Sequence, residues 1–191
     1  MLTSTDFSGL INQRFFNNFF PVPATSHVKV GDRAPQFELP DIRNDTVFNL
    51  KQVIDSLGAT DDATPPRKLL LAFTRIFTEK QYCPLCFPHI QSLNAAHETL
   101  QQQGIDVAMI TSTDTAQSKI VVQDLMLNMP LLSDPDCHVF RQYRVGQALG
   151  APLPAQFLVE ATGIVQFRHL FSFFEPNASV EQVLAFAEES V

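Results

Sequence analysis

Residues Leu69-Leu70-Leu71-Ala72-Phe73 form an unbroken apolar run that no other in the chain exceeds in length. Successive residues of a strand face opposite sides of a sheet, so a continuous apolar run is stable only where both faces are covered. The run is far too short to span a bilayer. It therefore demands a sheet sandwiched between helices, and the sequence downstream alternates accordingly. A helix is predicted from Cys83 to about Gln103, ending at Gly104. Asp106 to Thr111 reads as a strand, and Ala116 to Leu127 as a helix burying Ile120, Val121, Leu125 and Met126. Pro130 to Ser133 is a short strand and Val139 to Tyr143 a short helix. Two strands, Gln156 to Val159 and Ile164 to His169, flank the turn at Ala161-Thr162-Gly163 and form a hairpin. Ser179 to Glu189 is a terminal helix with Ser179 as N-cap and Val180, Val183, Leu184 and Ala187 inward.

Two segments precede this pattern. Residues 1–27 are an extension in which Leu10, Ile11, Phe15, Phe16, Phe19 and Phe20 suit a short amphipathic helix, ended by Pro21 and Pro23. An apolar face of this kind needs a partner surface. Its own domain is the expected one, with a homodimer contact or a loose membrane contact as alternatives. The domain proper is residues 28–191. It opens with extended text at Val28-Lys29-Val30 and with Gln36–Leu39 and Thr46–Leu50, whose alternation predicts an antiparallel hairpin. Residues 55–68 read as a surface loop.

Thirteen basic against twenty acidic residues leave a net charge of -7, and no Lys/Arg run offsets it, which excludes nucleic acid as the expected partner. The start, Met1-Leu2-Thr3-Ser4-Thr5-Asp6, lacks a basic region followed by an apolar stretch, so the expected address is the cytoplasm, with no membrane partner.

The three cysteines are too few for a disulfide scaffold, and two of them form Cys83-Pro84-Leu85-Cys86 just after a strand. Sites gather at the carboxyl ends of such strands. Free N–H groups at a helix start stabilise a thiolate, and Pro84 at the first helical position would lack only an unneeded donor. A spacing of three returns Cys86 to the face of Cys83, within reach of a disulfide. Cys83, at the open end, is the expected attacking thiol and Cys86 the resolving one. The pair alone leaves other readings open: half of a zinc site, a copper site completed by His89 or His138, or two inert core thiols. Cys137 follows the third parallel strand, Pro130 to Ser133, and a buried inert thiol is expected there, with a third redox thiol or ligand after movement as the alternative.

Several strings resemble the AhpC/TSA, peroxiredoxin-like branch of the thioredoxin superfamily, cyanobacterial members included. They are Gly31-Asp32-Arg33-Ala34-Pro35-Gln36-Phe37-Glu38-Leu39-Pro40-Asp41, Tyr82-Cys83-Pro84-Leu85-Cys86, Leu131-Leu132-Ser133-Asp134-Pro135-Asp136 with Cys137 where glycine is usual, and Leu153-Pro154-Ala155-Gln156-Phe157-Leu158-Val159-Glu160 with Gly163. The resemblance covers about Lys29 to Phe186. It implies a thioredoxin-like α/β fold: a central mixed sheet with helices on both faces, an N-terminal β-hairpin and a short N-terminal helical extension. It also implies that Pro154 is a cis-proline facing the cysteine pair, leaving the backbone of Leu153 free to align a substrate.

The chain departs from the family signature PxxxTxxC, because Ile76 and Lys80 stand where Pro and Thr are usual, and Pro154 where a later Arg is usual. Thr78, Arg75, Tyr82 and Pro84 are the candidate thiolate-supporting residues. The expected function is a thiol-disulfide oxidoreductase that reduces disulfides or hydroperoxides, with no cofactor and an external dithiol such as thioredoxin as reductant. A copper- or zinc-binding protein and a non-enzymatic redox sensor, signalling through the Phe-rich extension, are the alternatives.

Overall fold

The computed structural model describes residues 9–58 and 67–189. A seven-stranded sheet has the order β11-β10-β3-β6-β7-β1-β2. Its strands are β1 (Glu38–Asp41), β2 (Thr46–Asn49), β3 (Lys68–Phe73), β6 (Ile105–Thr111), β7 (Leu131–Ser133), β10 (Ala155–Glu160) and β11 (Val165–Leu170). The central strands β3, β6 and β7 are parallel. The β10–β11 hairpin joins antiparallel on one side of β3, and the β1–β2 hairpin joins β7 on the other. Two small hairpins stand apart: β4 (Ile76–Thr78) with β5 (Gln81–Tyr82), and β8 (Gln147–Ala148) with β9 (Ala151–Pro152).

The apolar run does what its composition requires. Leu69, Leu71 and Phe73 feed one hydrophobic layer and Leu70 and Ala72 the other. The first layer holds helices α2 (Leu50–Leu57) and α6 (His138–Gln142). The second holds α3 (Phe87–Ala95), α4 (His97–Gln102), α5 (Thr115–Asp124) and α7 (Val180–Glu189). At α7, Ser179 and Gln182 cap each other, each accepting the other's backbone N–H, as a capping box does. This is the thioredoxin-like arrangement that the family resemblance implies.

Four details differ from expectation. Residues 50–57 are helical: the Asn49 side chain accepts Gln52 N–H, and Leu50, Ile54 and Leu57 share the buried face. The rest of the predicted loop falls mostly on residues 59–66, outside the described residues. The helix predicted from Cys83 begins at Phe87, because Cys83 O accepts both Cys86 N–H (3.0 Å) and Phe87 N–H (2.9 Å) and closes a turn first. It kinks at Ala96 (φ -89°, ψ 1°), where the hydrogen-bond ladder still runs through from Ser92 to Leu100. On α5, Val121 is buried but Ile120 is 41% and Met126 78% exposed, so two of the four predicted inward residues face out. The helix ends at Asp124, and Met126 then takes a left-handed φ of 47°, which turns it away from the core.

The N-terminal extension forms α1 (Gln13–Asn17), capped by Asn12, and lies on the β8–β9 hairpin. Among the described residues no helix is long and apolar enough to cross a membrane.

Candidate active site

The site is built where β3 ends. After Phe73 the chain leaves the sheet at Thr74 and Arg75. It then makes the β4–β5 hairpin (Ile76 opposite Tyr82, Thr78 opposite Gln81) and returns so that Cys83 N–H meets Arg75 O at 3.4 Å. This hairpin decides which residues surround the sulfur.

Cys83 and Cys86 are both reduced and buried, 5% and 0% exposed. The Cys83 sulfur accepts the Cys86 thiol proton and the N–H groups of Leu85 and Cys86, with Arg75 nearby. The Cys86 hydrogen bond is the largest influence, and together these outweigh burial and hold the Cys83 thiol down at about 6. Cys86 is driven the opposite way, chiefly by that same bond and then by burial, so it keeps its proton. One thiolate and one thiol thus sit a single turn apart. The first turn supplies the two N–H donors, while Pro84, which has none, stays exposed. The proline inside the first helical turn is Pro88 rather than Pro84.

Arg75 is 7% exposed. Its guanidinium lies beside the Cys83 thiol, donates through Nη2 to the carbonyls of Ala148 and Leu149 (the latter at 3.4 Å), and lies 4.7 Å from the centroid of the Phe77 ring. Burial lowers its pKa and the cysteines oppose this; an arginine remains a cation throughout. Arg75 Nε and the hydroxyls of Thr74 and Ser112, at the ends of β3 and β6, are buried with no partner among the described residues.

The other predicted residues are placed differently. Thr78 is buried, but its hydroxyl accepts Lys80 N–H at 3.2 Å and so closes the β4–β5 turn. Lys80 is exposed on that turn. Tyr82 packs its ring on Phe87, the first residue of α3, at 5.1 Å; its hydroxyl is buried, and burial, ahead of the charges of Asp124 and Glu79, pushes it up to about 12. Leu153 and Pro154 lie just before β10, whose Ala155 pairs with Phe73, so they reach the correct end of the sheet. The expected cis-proline is not there, since no peptide bond among the described residues is cis. Nor is the Leu153 N–H free: it donates to Gly146 O at 3.0 Å, because the chain before β8 folds back over it.

Cys137 is 1% exposed at the start of α6, and burial, then the charge of Asp134, pushes its thiol up to about 11. Its sulfur accepts Asn18 Nδ2–H at 3.6 Å. His89 Nε2 accepts from Gln156 Nε2 at 3.1 Å; burial, then His169, lowers its pKa to about 4, so the ring is neutral. His138 is exposed, and among the described residues no group of three or more His, Cys, Asp or Glu is placed to hold a metal ion. The sequence reading missed Arg14 and the β8–β9 hairpin. The only available signal was a lone cation inside the Phe-rich segment.

The sequence model of the AhpC/TSA family matches residues 30–168. Peroxiredoxin Bcp of Escherichia coli (strain K12) is 27% identical over 169 residues, covering 85% of this chain and 97% of that protein. Among solved structures, peroxidoxin BcpB from Mycobacterium tuberculosis superposes with a TM-score of 0.69 at 21% identity, covering 85% of this chain and 98% of that one. The reduced 2-Cys peroxiredoxin of Plasmodium vivax gives 0.67 at 19% identity, covering 83% and 80%.

Proposed function

The chain belongs to the AhpC/TSA family and is an oxidoreductase, and we propose that it works as a dithiol enzyme in which Cys83 attacks and Cys86 resolves. One observation carries this reading: two thiols a turn apart hold opposite protonation states, the outer lowered to about 6 and the inner raised. With a hydroperoxide, the Cys83 thiolate attacks the terminal oxygen. An S–O bond forms, the O–O bond breaks, and the leaving alkoxide takes a proton to become an alcohol. Arg75, with an unpartnered Nε–H, would steady the charge that develops on oxygen. Cys86 then loses its proton and attacks the Cys83 sulfenic acid, closing the Cys83–Cys86 disulfide as water leaves. With a disulfide substrate, Cys83 forms the mixed disulfide, one thiolate departs, and Cys86 displaces the second. An external dithiol, thioredoxin being the proposed one, reduces the pair in either case. Such a cycle suits a reducing compartment such as the cytoplasm.

Leu153 and Pro154 would border the substrate through their surface rather than through the Leu153 N–H, which is already bonded. Phe16 and Phe20, 64% and 76% exposed, mark where a second copy would pack if the chain dimerises. The test compares hydroperoxide consumption with thioredoxin present against insulin reduction, for wild type, Cys83→Ser and Cys86→Ser. Cys83→Ser is expected to lose both activities. Cys86→Ser should keep a single stoichiometric reaction and lose turnover. Full activity in Cys83→Ser would overturn the assignment.

A further inference from the structure

The segment from Asn12 to Val22 has no part in the steps above, yet its contacts converge on the surroundings of Arg75. Val22 and Gln147 exchange backbone hydrogen bonds of 2.8 and 2.9 Å. Leu149 N–H donates to Phe19 O at 3.1 Å and Gly150 N–H to Asn18 O at 3.0 Å. Gln147 Nε2 donates to Asn17 O at 3.1 Å and Phe20 O at 3.2 Å. The Phe15 ring lies so close over Gly150 that a Cβ there would collide with Phe15 Cδ2. The β8–β9 hairpin pairs through only Gln147 with Pro152 and Ala148 with Ala151, across a turn in which Leu149 and Gly150 have φ of 51° and 84°. A ribbon of that length does not hold its own shape in water, so its rigidity comes from the segment laid on it.

That hairpin carries both carbonyls to which Arg75 donates, those of Ala148 and Leu149. The other restraint on Arg75 is the Phe77 ring, and here too the segment intervenes, since Arg14 donates to Phe77 O and Ser112 O. Among the described residues, the hairpin carbonyls and the Phe77 ring that hold the Arg75 guanidinium are thus tied to residues 14–22. We infer that this N-terminal segment is a positioning element of the active site: it sets the hairpin carbonyls and the Phe77 backbone, and so aims the Arg75 guanidinium at the Cys83 sulfur. The inference rests on Arg75 supporting the Cys83 thiolate. Substrate chemistry would then depend on a segment that touches no reacting atom.

The experiment uses the full-length reduced protein and follows alkylation of the Cys83 peptide by mass spectrometry as pH is varied. Its variants are Phe15→Ala, Gln147→Ala, Arg75→Ala and the Phe15→Ala/Arg75→Ala double variant, with circular dichroism and melting temperature recorded for each. Arg75→Ala is expected to raise the alkylation midpoint by about one pH unit, the low end for losing an adjacent opposite charge. Phe15→Ala should raise it by about half as much. The double variant should match Arg75→Ala alone, because the segment acts through that residue. Gln147→Ala removes only the two side-chain bonds to the segment and serves if Phe15→Ala fails to fold; it should move the midpoint in the same direction. If the folded segment variants leave the midpoint unmoved while Arg75→Ala shifts it, the positioning role is refuted. A double variant showing the sum of the two shifts refutes it as well. No shift in Arg75→Ala refutes the thiolate-support reading beneath it.

Discussion

Replacing Cys86 by alanine removes the single largest influence that lowers Cys83 and leaves the others standing. Alanine keeps the N–H at position 86, so the Leu85 and residue-86 donors and the charge of Arg75 remain, against the same burial. A hydrogen bond to a charged acceptor contributes ~1.5–3 kcal/mol. At ~1.4 kcal/mol per pKa unit this is a rise of about one to two units, from about 6 to between about 7 and 8. Serine at the same position retains an O–H donor, so Cys86→Ser should titrate near wild type although it too lacks the resolving thiol. At pH 7 the thiolate fraction would fall from about nine-tenths to about a quarter in the alanine variant, slowing Cys83 alkylation about fourfold. Well above pH 8 all three proteins should react alike. Iodoacetamide labelling of the Cys83 peptide from about pH 5 to about pH 10 reads this directly. If the alanine variant titrates with the serine variant near the wild-type midpoint, the Cys86 thiol is not what lowers Cys83, and the N–H groups and Arg75 must suffice.

Two further outcomes test other parts of the structure. Because folding lowers the His89 pKa from its usual 6.5 to about 4, its contribution to stability is complete above about pH 6.5 and is lost as pH falls toward 4. The loss totals about 3 kcal/mol. His89→Gln cannot be protonated, so urea unfolding near neutral pH and near pH 4.5 should show a smaller acid loss in the variant than in wild type; equal losses would exonerate His89. On α5, Val121 is 0% exposed and Ile120 41%. Val121→Ala should therefore cost about 1–3 kcal/mol and Ile120→Ala less than about 0.5 in equilibrium unfolding, and equal costs would contradict the inward face described here.

Much of the architecture was legible in one dimension. The apolar run at 69–73 implied a doubly covered strand because side-chain alternation is a local property of extended backbone. The end of the strand and the three-residue cysteine spacing then located the thiol pair. The errors arose where a short local signal was outweighed or incomplete. Asn49 starts a helix that Thr46–Leu50 alternation concealed, and Cys83 O closes a turn before α3 can begin.

What the sequence alone determined is the layering and the pairing of Cys83 with Cys86 at the end of a buried strand, which follow from periodicity and spacing along the chain. Only the tertiary structure decided what surrounds the sulfur. Arg75 turns inward because carbonyls 73 and 74 positions later accept its protons, and Arg14 reaches carbonyls 63 and 98 positions away. Thr78 is held within its own hairpin, and the Leu153 N–H is taken by Gly146. No pattern in neighbouring residues encodes the distant carbonyls that hold Arg75 and Arg14. They are chosen when the sheet brings the ends of β3 and β6 under the N-terminal segment, and a buried guanidinium must then take whichever carbonyls the fold presents.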